Sequence, residues 1–371
     1  MAYKKTKTTN GLNRFPKVKY LLVIGLLFLI SACAVESNIE SVVNTSNENN
    51  PTPSATAEDQ YQKYDDDDNE HDDQHDDENE HDDQHDDDNE HDDQHNDAYF
   101  PEDPNNTTPV TFTENVHSSL PEAWVTEYNT IKENLLTIFP LYQKYYSGVV
   151  VYAWNDNVDD PYSGVQGGAY ISIENGDASL KKFVMEIPNR ELIENGFHRY
   201  SVIVHEYFHC YQLSLNPHAN KPNAAPTSFD TKWLIEGPAA VVEGMYTKQY
   251  YGNNYTVESQ NRVHPDVFTS PTKLESHDTS MGIDENYSSS IFLVLVLAKE
   301  LQNSGLTEAE SFQLILRDYM ASNPNKDTWK TLFTEMFNMT LDEFYAKLPN
   351  YSGQKNADIL PTATLKLEDI F

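Results

Sequence analysis

The chain has 371 residues, 60 of them acidic against 25 basic, for a formal net charge of −35. Residues 65–97 hold 20 of the acids and no Lys or Arg, yet residues 98–371 are still acidic, with 35 acidic residues against 18 basic. A surface this negative argues against nucleic acid as a partner.

Residues 1–19 carry Lys4, Lys5, Lys7, Arg14, Lys17 and Lys19 without an acid, and the apolar run at 20–30 is too short to span a bilayer comfortably. Residues 1–32 therefore read as a secretory signal peptide. Its end, Ile30-Ser31-Ala32-Cys33, resembles a bacterial lipobox. That resemblance implies that Cys33 becomes the lipidated first residue of a mature protein, anchored to a membrane of the bacterial cell envelope on its extracytoplasmic side. With Cys33 so used, Cys210 is the one free thiol and no intrachain disulfide forms.

Residues 33–64 are rich in Asn, Ser, Thr, Glu and Pro and read as a flexible linker. Three decapeptide repeats follow at 66–75, 76–85 and 86–95, variants of D-D-D-N-E-H-D-D-Q-H, in a block (65–97) too charged to form a core and expected to be disordered. The repeat lacks the glycines of calcium-binding loops. Two uses stand open for it: an acidic spacer that lifts a domain off a membrane, and a loose binding site for Zn²⁺, Ni²⁺ or Cu²⁺ on His71, His75, His81, His85, His91 and His95.

Residues 98–371 have the composition of a globular domain long enough for a sizeable core. Trp124, Tyr128, Ile131, Leu135 and Ile138 recur at helical spacing in a segment read as a helix over 122–146, with Pro140 positioned to break or kink it. Strand-like runs follow at 148–154, 168–173 and 183–187. The run at 167–173 is a candidate edge strand able to pair with an extended peptide.

The motif that organises the chain is His205-Glu206-Tyr207-Phe208-His209, inside an apolar run from 200 to 215. On a helix, His205 and His209 lie one turn apart on one face, where two imidazoles can hold one zinc ion with Glu206 beside the open coordination position. Cys210 sits about 100° off that face and reads as a small core residue. A third ligand is needed, and position 215 is Leu and position 212 Gln, so the longer histidine motif of the metzincins is absent.

Downstream, Glu236, Ala239, Ala240 and Glu243 fall on one helical stripe flanked by Trp233, Leu234, Ile235, Val241 and Val242. Those flanks predict burial, and buried carboxylates need a partner or a metal. Glu236 is the expected third ligand and Glu243 the acceptor for the outward N–H of a bound histidine, with Asp230, His264 and His277 as the alternatives for the third position.

The pairing of H-E-Y-F-H with the later W-L-x-E-G-x-A-x-x-x-E resembles the zinc core of gluzincin metallopeptidases, as in the aminopeptidase N family, and H-E-Y-x-H with E-G-x-A also resembles the catalytic core of bacterial collagenases. The resemblance covers about a hundred residues. It implies an α+β, zincin-like fold, with a small mixed sheet and the His205 helix above a mostly helical lower subdomain. It implies Zn²⁺ on His205, His209 and Glu236, Glu206 as general base, Glu243 in support, and a peptide or protein as substrate. In such families a tyrosine at the start of a following buried helix stabilises the oxyanion, and Tyr287, ahead of the apolar run at 291–298, matches that placement.

Two departures stand out: the gap from His209 to Glu236 is longer than in the aminopeptidases, and Pro238 replaces other residues, which predicts a helix beginning just before Glu236. Tyr246, Tyr250, Tyr251 and Tyr255 read as packing residues, followed by loop to about residue 284 and, after the Tyr287 helix, by short helices at 307–320, 327–338 and 341–348. The competing function is a metal-binding surface lipoprotein whose zincin domain is catalytically silent.

Overall fold

The computed structural model describes residues 106–219, 228–276 and 282–371, and the signal peptide, Cys33, the linker, the acidic repeat and His277 lie outside them. The described residues form a mixed α+β fold in which a four-stranded sheet packs on a much larger set of helices. The strands are β1 (Thr111–Val116), β2 (Gly148–Asn155), β3 (Ala169–Glu174) and β4 (Asp177–Ile187), in the order β1-β2-β4-β3. β1, β2 and β4 run parallel, whereas β3 pairs antiparallel with β4 and so lies at an edge of the sheet. β1 was not anticipated: it has only intermediate or exposed side chains, so no apolar pattern marks it.

The third expected strand is the end of a longer one. β3 and β4 form a hairpin through Asn175 and Gly176, whose φ values of 47° and 79° are those of a two-residue primed turn, the geometry that Asn-Gly favours. Pairing therefore begins at Asp177, six residues before the apolar run at Phe183.

Helix α1 (Glu122–Ile138) buries the five residues expected of it and crosses from β1 to β2. It ends at Ile138 instead of reaching 146, because the residue before Pro140 is pushed away from helical geometry. After the short α2 (Asn189–Glu194), α3 (His198–Leu215) carries the histidine motif and is buried along nearly its whole length against α1, β3, β4 and α4 (Lys232–Tyr251).

The expected start of α4 just before Glu236 is wrong by a full turn: the helix begins at Lys232, and Pro238 lies in its interior. Proline there deprives the Leu234 carbonyl of its helical donor, a cost normally of about 3 kcal/mol. Tertiary packing outweighs it. Trp233 is fully buried against Phe333 and Phe344, with ring centroids 6.2 and 5.7 Å apart, and holds the first turn in place.

The short α5 (Tyr255–Ser259) and α6 (Asp266–Thr269) lead to α7 (Ile283–Asn303), whose stretch from Ile291 to Ala298 is buried at every position. α4 and α7 pack in close approach at Gly237, where a Cβ would come within 2.6 Å of the Ser290 carbonyl oxygen. Around them stand α8 (Glu308–Gln313), a π-helical turn at Leu314–Asp318, α9 (Tyr319–Ala321), α10 (Trp329–Phe337) and α11 (Leu341–Lys347). α8 and α11 each begin with a reciprocal capping box, Thr307 with Glu310 and Thr340 with Glu343. Among the described residues no helix is long and apolar enough to cross a membrane.

Candidate active site

Two helices supply the site. α3 carries His205, Glu206 and His209, and α4 carries Glu236 and, seven residues on, Glu243. The two imidazoles meet because i and i+4 share a helix face, and their Nε2 atoms lie 3.2 Å apart. Glu236 Oε2 is 3.2 Å from His205 Nε2 and 3.3 Å from His209 Nε2. Among the described residues these three form the one cluster of His, Cys, Asp or Glu arranged to hold a metal ion.

The far side of each ring is also held. His205 Nδ1 is 3.1 Å from Glu243 Oε2, and His209 Nδ1 is 2.7 Å from Gln212 Oε1. Gln212 in turn donates from Nε2 to the Ile235 carbonyl at 2.9 Å, which ties α3 to α4 immediately beside Glu236. Gln212 is a functional candidate that the sequence reading used only to dismiss a longer histidine motif. Its signal was available: i+3 from His209 on the same helix is within side-chain reach.

The electrostatics follow from burial. His205, Glu206, Glu236 and Glu243 are all buried. Desolvation alone would lower the pKa of His205, but hydrogen bonds to Glu236 and Glu243 and the charges of Glu243 and Glu206 outweigh it and hold the imidazole well above its ordinary range. Glu236 shows the mirror case: burial raises it, while the His209 charge and hydrogen bonds from both histidines carry it well below the usual carboxylate range. The cluster thus sets a raised imidazole against a lowered carboxylate.

No family model matches this chain, and no curated protein matches it either. The site therefore rests on its own geometry. It opens into a cleft lined by Ala169, Tyr170 and Ile171 of the edge strand together with Glu206, His209, Glu236 and Tyr287. Leu213, Ile235, Ala219 and Asp230 complete the lining.

Tyr287, in the first two turns of α7, donates its hydroxyl to Glu236 and sets its ring edge-on to His205 at 5.9 Å between centroids. The Glu236 charge first, then burial and the charges of Glu206 and Glu243, push its phenol well above the ordinary range, so it stays a proton donor. The Lys232 ammonium lies 4.6 Å from the centre of the same ring, a contact with no precedent in the sequence reading.

Of the alternative ligands, Asp230 lines the cleft but stands outside the donor cluster. His264 is also outside it, with Nδ1 3.6 Å from Asp266. Cys210 is buried away from the donors, and its backbone carbonyl accepts from the Tyr146 hydroxyl at 2.8 Å.

Proposed function

We propose that this protein is a zinc-dependent peptidase of the gluzincin type, with a zincin-like catalytic domain and a lipid anchor on Cys33 holding it to the outside of a bacterial membrane. The observation that carries the reading is the donor triangle of His205, His209 and Glu236, with edges of 3.2, 3.2 and 3.3 Å. A tetrahedral zinc ion with ligand bonds near 2.0–2.1 Å asks for donor separations of about 3.3 Å. Two neutral imidazoles and one carboxylate are also the donor chemistry zinc takes, and three protein ligands leave it a fourth position.

When bound, zinc would acidify a water and polarise a carbonyl oxygen. The chain's own groups do the rest. Glu206, buried at the cleft and next in sequence to a ligand, takes the proton from the attacking water as the oxygen–carbon bond forms. It returns that proton to the leaving nitrogen as the carbon–nitrogen bond breaks. Tyr287 turns its one O–H from Glu236 to the carbonyl oxygen as negative charge builds there. The strand β3 lies at an edge of the sheet and lines the cleft, a placement suited to an extended peptide laid alongside it.

The test is hydrolysis of a fluorescent casein by the full chain, before and after chelation and after zinc is restored. Activity that falls with chelation, returns with zinc and drops by several powers of ten in Glu206→Gln with zinc content unchanged supports the reading. A zinc-loaded chain without activity on any peptide would leave the silent metal-binding lipoprotein in its place.

A further inference from the structure

We propose that Gln212 is a positioning residue that fixes the tautomer of His209 and so points a lone pair, instead of a proton, at the metal position; the proposal rests on the zinc reading above. The Ile235 carbonyl can only accept, so the Gln212 atom 2.9 Å from it is the amide nitrogen, donating. The amide orientation is thereby settled, and the atom 2.7 Å from His209 Nδ1 is the amide oxygen.

An amide oxygen can only accept, so Nδ1 of His209 must carry its proton. In the neutral ring Nε2 is then left with a lone pair, and Nε2 is the atom 3.2 Å from His205 Nε2 and 3.3 Å from Glu236 Oε2. Gln212 is buried, at 1% exposure, so water does not compete for either hydrogen bond. Its acceptor on α4 is the residue immediately before Glu236, which means that one amide also sets the distance between the two ligand-bearing helices at the level of the metal.

The two histidines are thus oriented by different means. His205 leans on a carboxylate, Glu243, whereas His209 leans on a neutral amide. A neutral acceptor adds no further negative charge to a site that already buries Glu206, Glu236 and Glu243. It also leaves the His209 ring less electron-rich than a carboxylate would.

Three variants of the full chain separate this role from simple packing. Zinc affinity is measured by competition with a high-affinity fluorescent chelator, so that only tight binding is read and any weak binding on the acidic repeat, common to all variants, cancels. Gln212→Met keeps the volume and loses both hydrogen bonds; it should weaken zinc about 10- to 100-fold. Gln212→Glu keeps the acceptor for His209 and loses the donor to Ile235; it should recover part of that affinity. Gln212→Lys offers only donors and should bind no better than the methionine variant.

A second readout is the tautomer itself, read from the nitrogen shifts of metal-free, histidine-labelled protein, which should show His209 protonated on Nδ1 in the wild type and mixed in Gln212→Met. Wild-type affinity in Gln212→Met, or a glutamate variant no better than the methionine one, overturns the proposal. A wild-type chain that takes up no tight zinc overturns the zinc reading instead, which keeps the two failures apart.

Discussion

Glu243 Oε2 lies 3.1 Å from Nδ1 of His205 and Glu236 Oε2 lies 3.2 Å from Nε2 of the same ring, so one α4 carboxylate faces each edge of a single imidazole. They reach the two edges because they are seven residues apart, two turns of one helix, with Ala239 and Ala240 between them offering only methyl groups.

That arrangement predicts a graded loss of metal. On the proposed zinc reading, Glu236→Ala removes one of three donors and should abolish tight zinc binding, whereas Glu243→Ala leaves all three and should weaken affinity about 10- to 100-fold. Metal analysis after dialysis against a chelator series distinguishes them. Full zinc retention in Glu236→Ala would mean that the carboxylate is not a ligand.

Tyr287→Phe removes one hydroxyl and little volume. The loss of an oxyanion donor typically costs about 2.7–4 kcal/mol in the transition state, so kcat should fall about 100- to 1,000-fold with KM nearly unchanged. The ring stays edge-on to His205, but the hydrogen bond to buried Glu236 is lost, so the melting temperature should fall by a few degrees as well. A lowered melting temperature with kcat intact would make Tyr287 a packing residue only.

The close approach at Gly237 predicts a variant that touches no catalytic group yet disturbs one. Gly237→Ala would set a methyl 2.6 Å from the Ser290 carbonyl oxygen and 2.8 Å from a Val294 methyl. Backbone cannot yield as a side-chain tip can, so α7 must shift away from α4 at a cost of about 1–3 kcal/mol. Ser290 is one turn beyond Tyr287, and that shift should carry the phenol away from Glu236. The expected result is a lower melting temperature together with a lower kcat; a destabilised variant of unchanged kcat would uncouple the packing from the site.

The site was more legible in the sequence than the frame that holds it, for physical reasons. Histidine spacing within one helix is fixed by 3.6 residues per turn, so His205 and His209 needed no tertiary information to be paired. Glu236 and Glu243 could be read from a carboxylate stripe flanked by apolar residues. The start of α4 could not, since it depends on Trp233 burying itself against Phe333 and Phe344, about a hundred residues away, strongly enough to tolerate Pro238 inside the helix. β1 was invisible because its partner, β2, defines it through backbone pairing and not through apolar alternation. The Asn175-Gly176 hairpin, by contrast, was a local signal passed over in favour of the apolar run further on.

Lys181 on β4 is buried at 5% exposure, with its ammonium donating to the Ala178 carbonyl at 3.1 Å and lying 5.6 Å from the centre of the Tyr146 ring. Burial pulls its pKa from 10.5 down to about 8, against smaller opposing contributions from Cys210 and Asp177. Between those two values the unfolded chain holds a proton that the native chain has released. Stability therefore rises with pH across that window, and the full penalty, about 3 kcal/mol, applies below pH 8. Above about pH 10 the opposite trend sets in. Tyr146 and Tyr207, pushed well up chiefly by burial, keep their protons in the fold while unfolded phenols lose theirs. Lys181→Met should thus raise the urea midpoint at pH 8, and the gap to the wild type should close as pH approaches 10. Parallel midpoints for the two proteins between pH 8 and 10 would mean that Lys181 keeps its charge in the fold at no cost.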